Sequence, residues 1–361
     1  MKIWFAAAIA EKSFGGVSRS MKELSDGLRS RGHVVSVVTG TSHPGNNYLI
    51  FACKLCIRYM FNFFNRPDWI LARSTDAVFC ALIIRLLRLN TGVILHNHGW
   101  EENVYGIEKK LPSSVLSTPT TWKSIIIRFP LLRLMLKACT FCVSGTVHEI
   151  RYLKARYPAL GHKFIYIPNG VAVQENRPGK DTIDNPPDVL FVGNTTWKKN
   201  LLHAAGIFSY IKKNHSNARL FCIGTGLDDN EFFPLLGYDT DGIINMRSVS
   251  FEEMQSWYSR CAIMLAPSRY EGGHPLAILE AMSFGVLVFA SAIPSHREII
   301  HDGLNGYLIS GSDKERDARY IVEKLPLDIN RKVRACAIET AKRNRWPRQV
   351  SRLEKVLCRN R

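Results

Sequence analysis

The stretch Ser268-Arg-Tyr-Glu-Gly-Gly-His-Pro-Leu-Ala-Ile-Leu-Glu-Ala-Met-Ser-Phe-Gly285 decides the fold when it is read with its neighbours. Before it runs Cys261-Ala-Ile-Met-Leu-Ala-Pro267 and after it Val286-Leu-Val-Phe-Ala290, both short and apolar enough to be buried strands. Between them Pro275 can open a helix and Gly285 can close it. Strand, polar loop, helix and strand make a right-handed βαβ unit of a parallel sheet. The loop, with Glu271, Gly272, Gly273 and His274, then lies at the carboxyl end of a strand, where open α/β sheets bind ligands. Its glycines allow close backbone approach, the helix start offers free N–H groups to an anion, and Glu271 and Glu280 can accept from hydroxyls. Taken alone, such a loop reads more readily as a βα turn with solvated carboxylates than as a site.

The rest of the chain supplies the context. Its 361 residues exceed what one core usually supports, so two domains are expected. No apolar run reaches the roughly eighteen residues of a membrane span. The opening Met1-Lys-Ile-Trp-Phe-Ala-Ala-Ala-Ile-Ala10 leads at once into a Gly-Gly turn and an amphipathic pattern. That suits a first buried strand better than a signal peptide and gives a cytoplasmic expectation. The nine cysteines are scattered through apolar segments. Cys53/Cys56 and Cys139/Cys142 have CxxC spacing but lack knuckle turns, so core thiols are expected and no metal. The net charge of +17 is uneven: residues 1–180 hold 24 basic and 10 acidic side chains, residues 181–361 hold 24 and 21. The first half therefore suits an anionic partner, either a membrane surface, a nucleic acid or an acidic substrate.

Along the chain, Lys2–Ala10, a turn at Ser13–Val17, a helix ending at Arg31-Gly32 and His33–Thr39 read as βαβ. Gly92-Val-Ile-Leu-His-Asn-His-Gly-Trp100 is a strand ending in His96 and His98. Tyr48–Phe64 is aromatic and basic. Trp122–Lys137 joins an aromatic anchor, many aliphatics and only basic charges, so it suits either an anionic bilayer interface or a buried helix broken at Pro130. Gln174–Asp188, rich in Pro, Asp and Asn, reads as a linker. After it the βα rhythm restarts with Val189–Gly193, the polar loop Asn194–Asn200 carrying Lys198 and Lys199, and a helix from Leu201.

Several of these segments, in order, resemble the retaining, nucleotide-sugar-dependent glycosyltransferases of the GT-B class, family 4 or group 1. They are Gly15-Gly-Val-Ser-Arg with Arg31-Gly-His-Val-Val, Ile167-Pro-Asn-Gly-Val171, Phe191-Val-Gly193 through Lys199, Gly224-Thr-Gly226, Val249-Ser-Phe-Glu-Glu-Met254, Pro267-Ser268 with Glu271, Leu279-Glu-Ala-Met282, Gly303-Leu-Asn-Gly306 and Arg345-Trp346. The resemblance implies an α/β GT-B architecture, two Rossmann-like domains with parallel sheets facing across a cleft. Residues 1–180 would form the acceptor-side domain, with a last helix at about 345–361 packing back on it, and 185–344 the nucleotide-sugar domain. It implies that Lys199, with Asn194 and Lys198, holds the donor diphosphate and that Glu280 binds the ribose. Glu271, aided by the backbone of Gly272, Gly273 and His274, would steer the transferred sugar. Gly15 and Gly16 would bring backbone N–H groups to the donor or acceptor, and His98 would contact the sugar or carry the acceptor proton. Two departures stand out. Eight residues separate Glu271 and Glu280 where the family usually has seven, and Asn194 replaces a frequent Arg.

The function expected is therefore transfer of a sugar, with retention, from a UDP- or GDP-linked donor, with no other cofactor. The acceptor would be a lipid-linked or cell-envelope glycan, as in bacterial surface polysaccharide or lipopolysaccharide synthesis. The site would be the inner face of the cytoplasmic membrane, against an anionic surface, with no nucleic-acid partner. The alternatives are nucleic-acid binding through the basic half, which the aliphatic setting of the aromatics disfavours, and a GT-B-fold sugar-nucleotide epimerase.

Overall fold

A computed structural model describes residues 1–8, 15–40, 48–113, 120–173, 188–237, 239–326 and 328–359. The expected linker Gln174–Asp188 except its last residue, the loop at 41–47 and the beginning of the Ser13–Val17 turn lie outside them. The chain divides into two compact units. Unit 1 gathers Met1–Lys110, Pro119–Gly170 and Trp346–Arg361; unit 2 is built on Val171–Arg345.

Unit 1 is a six-stranded parallel sheet in the order β2-β1-β3-β4-β5-β6. The strands are β1 (Lys2–Ala7), β2 (Val34–Thr39), β3 (Trp69–Arg73), β4 (Gly92–Asn97), β5 (Phe141–Ser144) and β6 (Phe164–Tyr166). The first strand ends at Ala7, short of the expected Ala10, and residues 9–14 are not described. Alternate strand residues face different layers, as the pleat requires. Trp4, Ala6, Ile70, Ala72, Val93 and Leu95 pack on three helices, α2 (Tyr48–Phe61), α3 (Val78–Leu86) and α5 (Phe129–Ala138). Pro130 lies in the first turn of α5, where the π-helical segment Ser124–Arg128 runs into it and the hydrogen-bond pattern changes. The opposite layer holds α1 (Gly16–Arg29). The shorter α4 (Glu101–Glu108) and α6 (Val147–Arg156) complete the unit up to Gly170.

Unit 2 repeats the architecture with the order β12-β11-β10-β7-β8-β9. Its strands are β7 (Asp188–Val192), β8 (Arg219–Ile223), β9 (Ile243–Asn245), β10 (Ile263–Ala266), β11 (Leu287–Ser291) and β12 (Tyr307–Ile309). Its helices are α7 (Leu201–Asn214), α8 (Asp229–Leu236), α9 (Phe251–Arg260), α10 (Leu276–Ser283), α11 (Pro294–Arg297), α12 (Lys314–Lys324) and α13 (Asn330–Arg343). β10 and β11 are buried on both faces, hence their unbroken apolar sequence. The βαβ unit read around residues 261–290 is present: Pro275 caps α10 and Gly285 follows it with φ +68°. The expected two Rossmann-like parallel sheets are thus both observed.

The last helix, α14 (Trp346–Cys358), belongs to unit 1. It packs along α1, where Gly27 leaves room for Val350. Glu354 receives Arg31 Nη1 at 2.6 Å and His33 Nε2 at 2.9 Å, and Trp69 Nε1 donates to the Leu357 carbonyl at 3.1 Å.

Candidate functional site

In unit 2 the strand order reverses between neighbouring β7 and β10, so the loops that follow them diverge and open a crevice at the sheet's carboxyl end. Lys199 lies on the loop after β7 and Glu271 on the loop after β10. Their side chains meet, with Lys199 Nζ 2.6 Å from Glu271 Oε1. Two local features bring them there. A Cβ on Gly193 would stand 2.9 Å from Lys199 Cγ, so glycine makes room for the lysine stem. Asn200 takes the left-handed conformation at φ 57°, and its Nδ2 donates to the carbonyls of Pro267 at 3.0 Å and Gly311 at 3.1 Å. The backbone N–H of Arg269, donating to the Lys198 carbonyl at 2.7 Å, ties the two loops again.

Glu271 is held from below. Ser268 Oγ donates to its Oε1 at 2.8 Å, and Ser291 Oγ donates in turn to the Ser268 carbonyl. His296 Nδ1 lies 2.8 Å from the Ser291 carbonyl, which can only accept, so the proton is on Nδ1. Its Nε2 is buried without a partner. Burial pushes the Glu271 carboxyl up, but the charge of Lys199, the nearby His296 and hydrogen bonds from Lys199 and Ser268 outweigh it and hold the group below the usual range. Burial pushes His296 down to about 4 against the opposing pull of Glu271, so the ring is neutral at pH 7. The site is an ionised carboxylate and an ammonium facing each other over a neutral floor.

The other expected residues fall around this pair in different roles. Glu280 stands on α10, buried, and its Oε2 accepts from the Tyr258 hydroxyl at 2.9 Å. His274 is buried with Nε2 3.6 Å from Glu298 Oε2, which braces the loop carrying half-buried Gly272 and Gly273. Asn194 Oδ1 accepts from Thr196 N at 3.2 Å and Thr196 Oγ1 at 2.6 Å, a local turn. The Lys198 ammonium lies over the rings of Trp197 and Tyr270, 5.9 Å and 5.7 Å from their centroids. Of the expected set, Lys199 and Glu271 are in direct contact. Ser291, His296, Asn200 and Tyr258 were missed; no local signal in the sequence links them to loops up to 111 residues away.

In unit 1 the reversal falls between β1 and β3. Asp76, just past β3, accepts from the Ala8 N–H at 2.8 Å, and burial raises its carboxyl to about 6. The His96 and His98 rings lie against each other at a tilt of 43°, with centroids 4.2 Å apart. Burial pushes His96 down to about 4, and burial, His96 and Arg73 push His98 well below its ordinary value. His98 Nε2, Thr75 Oγ1, Asn97 Nδ2 and Ser144 Oγ are buried without partners. Gly15 caps α1 and is exposed with Gly16. No group of three His, Cys, Asp or Glu able to hold a metal occurs among the described residues.

Comparison with known proteins adds the family. Residues 14–175 match the family model described as Glycosyltransferase Family 4, and residues 186–325 that described as Glycosyl transferases group 1. The chain is 27% identical over 203 residues to a D-inositol 3-phosphate glycosyltransferase of Frankia alni, covering 50% of this chain and 48% of that protein. It is 26% identical over 194 residues to an uncharacterized glycosyltransferase of Methanocaldococcus jannaschii, covering 52% and 49%. These matches span about half the length of the curated relatives. Among solved structures, sucrose-phosphate synthase of Thermosynechococcus elongatus is similar with TM-score 0.79 at 14% identity, over 98% of this chain and 97% of that one. WaaG, a glycosyltransferase involved in lipopolysaccharide biosynthesis, is similar with TM-score 0.74 at 14% identity, over 99% and 100%. Anabaena HepE in complex with UDP and glucose has TM-score 0.72 at 13% identity, over 99% and 100%.

Proposed function

The chain belongs to the family 4, group 1 glycosyltransferases, and from that premise we propose that it moves a sugar, with retention, from a UDP- or GDP-linked donor to a lipid-linked or cell-envelope glycan. The observation that carries this reading is the Lys199–Glu271 pair on the two loops of the unit 2 switch point. A diphosphate entering there competes with Glu271 for the Lys199 ammonium. Lys199 then meets charge that grows on the leaving group, where a positioned cation contributes most. Glu271, still held by Ser268, is released to accept from a hydroxyl of the sugar. Glu280, fixed by Tyr258, takes the ribose. The acceptor oxygen bonds the anomeric carbon as the carbon–phosphate oxygen bond breaks, and the leaving phosphate takes the acceptor proton. Neutral His96 and His98 suit hydrogen bonding to hydroxyls better than charge neutralisation. HepE carries UDP and glucose and WaaG acts in lipopolysaccharide biosynthesis, which supports donor and acceptor of these classes here.

The test incubates the protein with a panel of nucleotide sugars and a membrane extract and reads nucleotide release. Acceptor-dependent release with one donor is expected. Absence of both release and nucleotide binding across the panel overturns the reading, and conversion of a donor without acceptor replaces it with an epimerase.

A further inference from the structure

The outer layer of unit 1 carries a feature that sugar transfer does not use. Helices α2, α3 and α5 lie side by side, with α3 between the other two, and Arg128 over the Tyr48 ring joins the segment before α5 to the start of α2. The inner faces fill the core. The outward faces are apolar too. On α2, Ile50, Ile57 and Phe61 fall on one outward stripe opposite Phe51, Leu55 and Tyr59. Phe61 is 87% and Phe64 97% exposed. At the end of α3, Leu86 is 80% exposed, and before α5, Trp122 and Ile126 are each 64% exposed.

The charges of this layer have one sign. Residues 48–66, 77–91 and 120–140 contain nine Lys or Arg and no Asp or Glu. Arg128 and Arg133 pair with Glu101 and Glu102 of α4. Lys54, Arg58, Arg66, Arg85, Arg88, Lys123 and Lys137 have no acidic partner among the described residues. Exposed aromatics and aliphatics ringed by cations match a bilayer interface of apolar chains beneath anionic headgroups. A second copy of the chain fits poorly, because a two-fold contact would set this cationic face against itself. No helix among the described residues is long and apolar enough to cross a membrane, so the layer lies on the surface.

We propose that the α2–α3–α5 layer docks unit 1 on an anionic lipid bilayer, with Phe61, Phe64 and Trp122 entering the interface. This deepens the reading of a membrane-borne acceptor but stands on its own observations.

Sedimentation of the full chain with vesicles of phosphatidylcholine alone, or mixed with phosphatidylglycerol, tests it without any turnover. Binding to the mixed vesicles, reversed by high salt, is expected. Lys54→Gln, Lys123→Gln and Lys137→Gln together lower that affinity about a hundredfold. Phe61→Ser with Phe64→Ser lowers it at least about tenfold, and Trp122→Phe removes fluorescence quenching by brominated lipid. Equal binding to both vesicles, binding to neither, tighter binding to duplex DNA, or a dimer dispersed by the Phe substitutions each overturns the proposal. Any of these leaves the donor reading standing, because nucleotide binding is measured separately.

Discussion

The two switch points have one topology and opposite chemistry. In unit 2 the loops after β7 and β10 present a cation and an anion already joined, Lys199 to Glu271 at 2.6 Å. In unit 1 the ends of β1 and β3 present Asp76 holding the Ala8 N–H, and neutral His96 and His98 beside hydroxyl and amide groups whose atoms lack partners. The first crevice holds one charged side chain against another. The second sets neutral imidazoles, hydroxyls and an amide beside the Asp76 carboxyl, groups that can pair with hydroxyls. A parallel sheet thus fixes where a ligand goes, while a few loop residues fix its charge.

Breaking the charged side has the largest expected effect. Lys199→Met should slow nucleotide release about 10³-fold, while Lys199→Arg keeps more of the rate. Because Glu271 is left buried without its cation, urea unfolding should also report a loss of roughly 3 kcal/mol. Unchanged turnover would remove Lys199 from the chemistry.

The histidines give the next effect. The folded pKa values of His96 and His296, about 4, lie below the ordinary 6.5, and that of His98 lies below it too. Between those values the unfolded chain binds more protons, so stability falls as pH drops from 7 toward 4. Asp76, raised to about 6 from 3.8, acts in the opposite sense and returns stability as pH falls through 6. The net loss from pH 7 to 5 should be roughly 3 kcal/mol. Thermal melts across this range check it. His296→Gln should flatten the slope and Asp76→Asn should steepen it; a flat wild-type curve would contradict both assignments.

A smaller effect belongs to Glu280. Glu280→Gln keeps a partner for Tyr258 but loses the carboxylate, and the donor KM should rise roughly tenfold with little change in kcat. Smallest is Ser268→Ala. It removes one of the two hydrogen bonds to Glu271 Oε1 and should cost about 1 kcal/mol, a fivefold loss of rate. If the serine variant lost as much as the lysine variant, the pair and its support would have to act as one unit.

Much of the frame was legible in the sequence because it rests on local signals. Pro275 and Gly285 bound α10, and the apolar runs on either side are β10 and β11. Lys199 and Glu271 could be named from their loops, but their contact bridges 72 residues and depends on Gly193 and Asn200, whose effects are tertiary. Asn194 and Lys198 are expected to hold the donor diphosphate with Lys199. Asn194 turns onto Thr196 and Lys198 lies over two aromatic rings, and neither preference is visible in a run of polar residues. The segment from Trp122 read as either interfacial or buried. Leu132, Met135 and Leu136 face the core, while Trp122 and Ile126 are exposed.

The return of α14 to unit 1 bears on how the molecule is made. Unit 2 is nearly continuous in sequence, whereas unit 1 is completed only by residues after 345. During synthesis the α1 surface at Gly27, the Arg31 and His33 side chains and the Trp69 indole N–H all wait for their partners on Val350, Glu354 and Leu357. Unit 1 therefore cannot close this seam until the residues after 345 are in place, although most of its sheet precedes unit 2 in the chain.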